Sequence, residues 1–279
     1  MGKLKVIQTG PMTTVQDFGR FGYRRYGIPQ SGAMDKEWMI TANQMVGNPD
    51  HFPVVEFAIS GIKIEALEDT SIAILGAQVK LNDKELSESY AKLSQGDLIE
   101  IAPPAHVYAY IAIGGKLHTK EDFGSYSTYI RAGFGGINGR EIGKGDLLKT
   151  SGRTGKRQDI SPPEKSLENL VGINIMKGPE WDLLKELPSL ITFKVDSSSD
   201  RMSVRLTGAK LDCDYHEIAS SAVIPGIIQL PPDGQPIVLM NDCQTTGGYP
   251  RIGKVLKEDM GKLAQLKPGK EIKLVLENS

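Results

Sequence analysis

At 279 residues, with 39% hydrophobic and 24% charged side chains, the chain can bury one large or two moderate cores and lacks the charge excess that marks disorder. Its 33 basic and 34 acidic residues leave a net charge of −1, which excludes a global field for nucleic acid or an anionic membrane, so any attraction for anions has to be local. Two cysteines, Cys213 and Cys243, outside any C-x-x-C spacing, argue against a zinc site and a disulfide framework.

The opening Met1-Gly2-Lys3-Leu4-Lys5-Val6-Ile7 lacks a signal peptide's apolar run, and no stretch approaches the roughly 18 apolar residues that span a bilayer, so a soluble, cytoplasmic chain with reduced thiols is expected. Leu4 to Ile7 alternates as a short strand and is stopped by Thr9-Gly10-Pro11. The stretch Asp17 to Asp35 then holds four glycines and a proline, which disfavour helix and strand, together with Arg20, Arg24, Arg25, Ser31, Tyr23, Tyr26 and both aspartates. It reads as a long ordered loop, suited to a small anion or, alternatively, as a solvated turn whose arginines pair with its own aspartates. Asp35 opens a predicted helix with Trp38, Ala42, Met45 and Val46 on one face, ended by Gly47-Asn48-Pro49; a capping and a catalytic carboxylate look alike at this position.

From Val54 to Ile113 short strands follow, at 55–59, 62–66, 71–75, 79–81, 98–101 and 107–113, separated by turn residues and without intervening helices. That grammar predicts an antiparallel barrel or sandwich and excludes a Rossmann-type fold. Ser151 to Pro163 is charged, glycine-bearing and ends in paired prolines, the composition of a linker. Gly152 to Lys156 within it lacks the spacing of a phosphate loop. Strands at 171–175, 191–195, 203–206, 227–230 and 237–240 repeat the pattern in the second half, with at most a short helix from Pro179 to Leu187. The expected division is a first β-barrel domain over 1–150, a linker over 151–165 and a second β-barrel domain over 166–279.

Familiar catalytic machinery is absent from the sequence. His51, His106, His118 and His216 form no metal-ligand pair, no G-x-S-x-G elbow exists, and no dinucleotide or Walker motif is present, so no metal is expected and ATP would have to be held by an unfamiliar surface or by another subunit. Two polar loops remain: the Asp17 to Asp35 stretch, and Gln244-Thr245-Thr246-Gly247-Gly248-Tyr249-Pro250-Arg251, whose glycine pair lets backbone approach a ligand and whose arginine can clamp a carboxylate, unless it is simply a hairpin turn. The expected binding set for a small carboxylate or amide is Arg20, Arg25, Ser31, Arg131, Gln244, Thr245, Thr246 and Arg251, with Asp17, Asp35 and Tyr249 as candidate catalytic groups.

The blocks Thr14 to Asp17, Gly27 to Asp35, Ser127-Thr128-Tyr129, Arg131 to Gly136, Gly178 to Asp182, Ser199 to Met202, Gln229 to Pro236 and Gln244 to Gly253 resemble, in order, the biotin-dependent carboxyltransferase-like family that includes the 5-oxoprolinase C subunit, the KipI antagonist and proteins formerly called the second component of allophanate hydrolase. The resemblance implies a mainly β fold of two cyclophilin-like β-barrel domains, with few short helices and a cleft between them. It implies one component of an ATP-dependent 5-oxoprolinase, a hydrolase in which a KipI-like B subunit, together with an A subunit, would help it open 5-oxoproline to glutamate. It also admits carboxyl transfer from biotin supplied in trans to urea or an amide, and non-catalytic binding of a KipI-like inhibitor of a sensor kinase. The chain departs from the family where Tyr126 precedes Ser127-Thr128-Tyr129 in place of an arginine, and over Lys116 to Phe123.

Overall fold

The structure is a computed structural model and describes residues 2–151, 155–163, 170–185, 191–214 and 218–277. Two compact units are present, Met1–Arg20 with Ser31–Glu164, and Phe21–Gln30 with Lys165–Ser279. The middle of the glycine-rich stretch therefore belongs with the second unit and its two ends with the first.

The first unit contains β1 (Lys3–Gln8), β2 (Thr14–Gln16), α1 (Lys36–Met45), β3 (Val54–Ala58), β4 (Ile62–Ala66), β5 (Thr70–Leu75), β6 (Val79–Leu81), β7 (Lys84–Glu85), β8 (Tyr90–Leu93), β9 (Leu98–Ile101), β10 (Tyr108–Ile113), β11 (Lys116–Leu117) and β12 (Leu147–Ser151). These form a seven-stranded sheet in the order β11-β12-β1-β4-β9-β6-β7 and a five-stranded sheet in the order β2-β3-β10-β5-β8. One apolar cluster is drawn from both, with Leu4, Ile64 and Ile99 from the first sheet and Phe57, Ile72 and Ile111 from the second, all fully buried. The expected barrel of the first unit thus takes the form of two sheets facing one core.

Strand β10 is buried at every position, because its second face is covered too. Ala109, Ile111 and Ile113 enter the inter-sheet core, while Tyr110 points the other way and meets Trp38 of α1 edge-on at 6.5 Å. The helix thus roofs the five-stranded sheet. Residues 155–163 of the expected linker contain no helix or strand and lie along the first unit: Gly155 N donates to Gly47 O at 2.6 Å, and Trp38 Nε1 to Pro163 O at 3.3 Å. Ser151, the first residue of the expected linker, ends β12, and residues 152–154 and 164–165 fall outside the described residues.

The second unit contains β13 (Leu170–Lys177), β14 (Thr192–Val195), β15 (Ser203–Gly208), β16 (Ser221–Ala222), β17 (Ile227–Gln229), β18 (Ile237–Leu239), β19 (Thr246–Gly247), β20 (Arg251–Val255), α2 (Lys257–Ala264) and β21 (Glu271–Leu276). Seven of them close a barrel in the order β13-β20-β17-β18-β15-β14-β21, sealed by a parallel seam in which Leu170 pairs with Glu271 and Ile175 with Leu276. β16 and β19 make a separate two-stranded ribbon. Near the expected helix at 179–187 there is a 3-10 turn over Trp181–Leu183, and residues 186 and 187 lie outside the described set. Helix α2 has no counterpart in the sequence reading, since Gly261 and a mostly polar run weaken its periodic signal.

Candidate functional site

The first unit holds one end of the glycine-rich stretch on Asp17, which is 6% exposed. Its Oδ1 accepts from Gly19 N at 2.8 Å, Ser125 Oγ at 2.7 Å and Ser127 Oγ at 2.5 Å, and its Oδ2 from Tyr126 N at 2.7 Å. A carboxylate with four donors at its oxygens is a structural clasp between this loop and the 125–127 segment. Arg20, 1% exposed, completes the clasp by donating to Ser127 O and, at 3.4 Å, to Asp122 O, with Phe134 5.9 Å from its guanidinium. Ser31 is fully buried in the left-handed region at φ 54°, and its Oγ meets no partner among the described residues. Arg131 is exposed, on the 3-10 turn Ile130–Ala132.

Asp35 caps α1, its Oδ1 accepting from Trp38 N at 3.3 Å. Beneath it lies a pair that sequence reasoning missed. Glu56 on β3 and Tyr110 on β10 are cross-strand partners on the face that α1 covers. Tyr110 Oη donates to Glu56 Oε2 at 2.7 Å and accepts from Asp35 N at 2.7 Å, while Glu56 Oε2 also accepts from Met34 N at 2.8 Å. Burial first, then the Glu56 and Asp35 carboxylates, push the Tyr110 phenol well above the ordinary tyrosine range, so it remains a proton donor to Glu56. The acidic position inside an apolar strand was the available signal.

In the second unit the arginine that matters is Arg24, which the expected binding set did not include. It opens the 3-10 turn Arg24–Tyr26, which ends on Gly27 at φ 77°. Its Nη2 donates to Val223 O and, at 2.8 Å, to Gln244 O, and lies 3.9 Å from Cys243 Sγ. Nη1 is buried and meets no acceptor among the described residues. Arg25 is exposed, with its guanidinium 4.8 Å from the Tyr26 ring.

The loop that Arg24 grips is braced from below by a buried fork, with Arg201 Nε and Nη2 on Asp242 Oδ2 and Oδ1 at 2.8 and 3.2 Å. Gln244 Nε2 donates to Gln229 Oε1 at 3.2 Å. Gln229 is 2% exposed, and its own Nε2 has no acceptor among the described residues. A Cβ on Gly247 would stand 2.5 Å from that nitrogen, so the missing side chain is what admits the amide. Ser221, the ribbon partner of Gly247, has a buried Oγ that likewise lacks a partner among the described residues. Arg24, Gln229 and Ser221 thus each contact the 243–247 turn, and each carries a buried group able to donate that has no acceptor among the described residues.

Thr245, Thr246 and the 38%-exposed Tyr249 are on the same loop, with Thr245 O accepting from Val223 N at 3.1 Å. Arg251 realises the fork expected of it, but on Glu180: its backbone N, Nε and Nη2 donate to the carboxylate at 2.9, 3.0 and 2.8 Å. A guanidinium only 21% exposed needs such a partner near at hand. The Glu180 carboxyl is accordingly held below the usual range by the Arg251 hydrogen bonds, against the opposing effect of burial. The Cys243 thiol is raised by burial, which outweighs the nearby Arg24 charge. Among the described residues no group of three His, Cys, Asp or Glu could hold a metal, and no helix is long and apolar enough to cross a membrane.

Residues 26–276 match the family model for the carboxyltransferase domain, subdomain A and B. The chain belongs to this family. Among carboxyltransferase-domain relatives, the C subunit of 5-oxoprolinase from Escherichia coli is 35% identical over 98% of this chain and 90% of that protein. The protein of the same name from Haemophilus influenzae is 33% identical over 97% of this chain and 90% of its own length. The crystal structure of the K. lactis urea amidolyase superposes with a TM-score of 0.90 at 28% identity, over 99% of this chain but 19% of that one. The carboxyltransferase-domain fold is therefore shared by chains of very different total length.

Proposed function

We propose that this carboxyltransferase-domain chain is the C subunit of an ATP-dependent 5-oxoprolinase, in which it binds a small carboxylate or amide. The observation that carries the reading is likeness along nearly the whole of the 5-oxoprolinase proteins, 90% of each, against 17% of the urea amidolyase of Lachancea kluyveri. The donor set supports it through Arg24, Gln229 and Ser221, whose unpartnered groups are of the kind that the carboxylate and lactam carbonyl of 5-oxoproline accept from. Gln244, exposed and bonded to Gln229, is the member able to swing aside for a guest. The chain has no Walker motif, so ATP is assigned to a partner, either the KipI-like B subunit or the A subunit.

The test is reconstitution. Glutamate should form from 5-oxoproline and ATP only when this chain and both partners are present, and Gln229→Leu should raise KM by about tenfold, the loss of one buried hydrogen bond. Equal glutamate formation without this chain overturns the proposal. A second reading, carboxyl transfer with biotin supplied in trans, is favoured by the TM-score of 0.90 to the K. lactis urea amidolyase. It predicts biotin-dependent incorporation of labelled bicarbonate into urea or an amide. Capture of the KipI-like protein without turnover would instead mark the chain as a regulator.

A further inference from the structure

A cavity of about 600 Å³ lies in the first unit beside β11 and β12, within the size range of small-molecule sites. Its polar side is set by Lys116, His118, Thr119 and Tyr126 and its apolar side by Ile137 and Leu147, while the Leu117 side chain is buried in the core. Most charges around it are already matched. Asp146 accepts both guanidinium nitrogens of Arg140 at 2.7 and 2.8 Å and Gly143 N at 2.8 Å, and Lys120 pairs with Asp122 at 2.9 Å.

Lys116 is different. Its Nζ donates to Tyr126 Oη at 2.6 Å and stands 4.4 Å from the Tyr126 ring, and Tyr126 Oη in turn donates to the exposed Glu121. An ammonium has three N–H donors, so two remain for a ligand, and no carboxylate lies within ion-pair distance of Lys116 among the described residues. Thr119, on the same wall, keeps its Oγ1 buried and without a partner among the described residues, so the head contact falls to Lys116. An ammonium with donors to spare and no carboxylate beside it, next to the aliphatic side chains of Ile137 and Leu147, calls for a ligand with an anionic head and a short apolar body.

We propose that this cavity is a binding site for a small aliphatic carboxylate, held at its head by Lys116 and along its chain by Ile137 and Leu147. Its residues are separate from the Arg24, Gln229 and Ser221 cluster, and glutamate formation by the assembled complex does not enter the measurement. The full chain is titrated with butanoate while backbone amide shifts are followed by NMR, with butanamide as the uncharged match and inorganic phosphate as the compact anion. Saturable shifts are expected at residues 116–120 and 137–147. Lys116→Met should weaken butanoate about tenfold, the effect of one charged hydrogen bond, while Lys116→Arg, which keeps the charge, should stay within about threefold. Absence of saturable shifts, shifts confined to residues outside 116–120 and 137–147, equal affinity for butanamide or phosphate, or undiminished binding by a folded Lys116→Met protein would each overturn the assignment.

Discussion

Asp17 shows how a residue that looks catalytic in a sequence can be occupied as an anchor. Four donors converge on its carboxylate, from two backbone amides and the Ser125 and Ser127 hydroxyls. Asp17→Ala strands all four, so a loss of about 3 kcal/mol or more in urea unfolding is expected, whatever happens to activity. Glu180 gives a prediction in pH. Its folded carboxyl is lowered chiefly by the Arg251 hydrogen bonds, so the stabilisation is present above the unfolded value of about 4.3 and lost as pH falls through the lower folded value. Between pH 6 and pH 3, roughly the window of carboxylate protonation, Glu180→Gln should therefore lose less stability than the parent. Cys243 sits fully buried with its thiol raised, and it should resist a thiol-directed disulfide reagent until urea unfolds the chain.

Among the elements, α1 turns the five-stranded sheet from a half-exposed into a doubly covered one. Its cap, its roof over Tyr110 and the Glu56 hydrogen bonds form one unit, because Asp35 supplies both a capping oxygen and the N–H that Tyr110 accepts. Asp35→Asn keeps a capping oxygen and should cost under about 1 kcal/mol in thermal unfolding, whereas Asp35→Ala should cost about 1–2 kcal/mol. The short ribbon of β16 and β19 performs a comparable task in the second unit, since Gly247 on it leaves the space that the Gln229 amide fills. Gly247→Ala should displace Gln229 and depress the reconstituted rate while leaving the barrel folded, as judged by circular dichroism and turnover.

At the scale of the whole molecule, many of the strands were legible because the apolar residues alternate and the turns are marked by Gly, Asn and Asp, whereas β8, β12 and β20 were not anticipated. The strands at Ile62–Ala66, Val79–Leu81 and Leu98–Ile101 keep the bounds that the pattern implies, and Asp35 with Trp38 and Ala42 marked α1. Family membership was legible too, since ordered blocks of glycine and proline reflect backbone geometry that few other residues allow. Tertiary structure alone decided which arginine does what. Arg20, Arg24 and Arg25 share one short loop, yet Arg20 is sealed in the first unit, Arg24 grips the Gln244 turn in the second, and Arg25 stays exposed. Sequence spacing records neighbours along the chain, whereas burial and partners depend on segments more than a hundred residues away. A guanidinium takes its role from the carbonyls and carboxylates that folding brings to it.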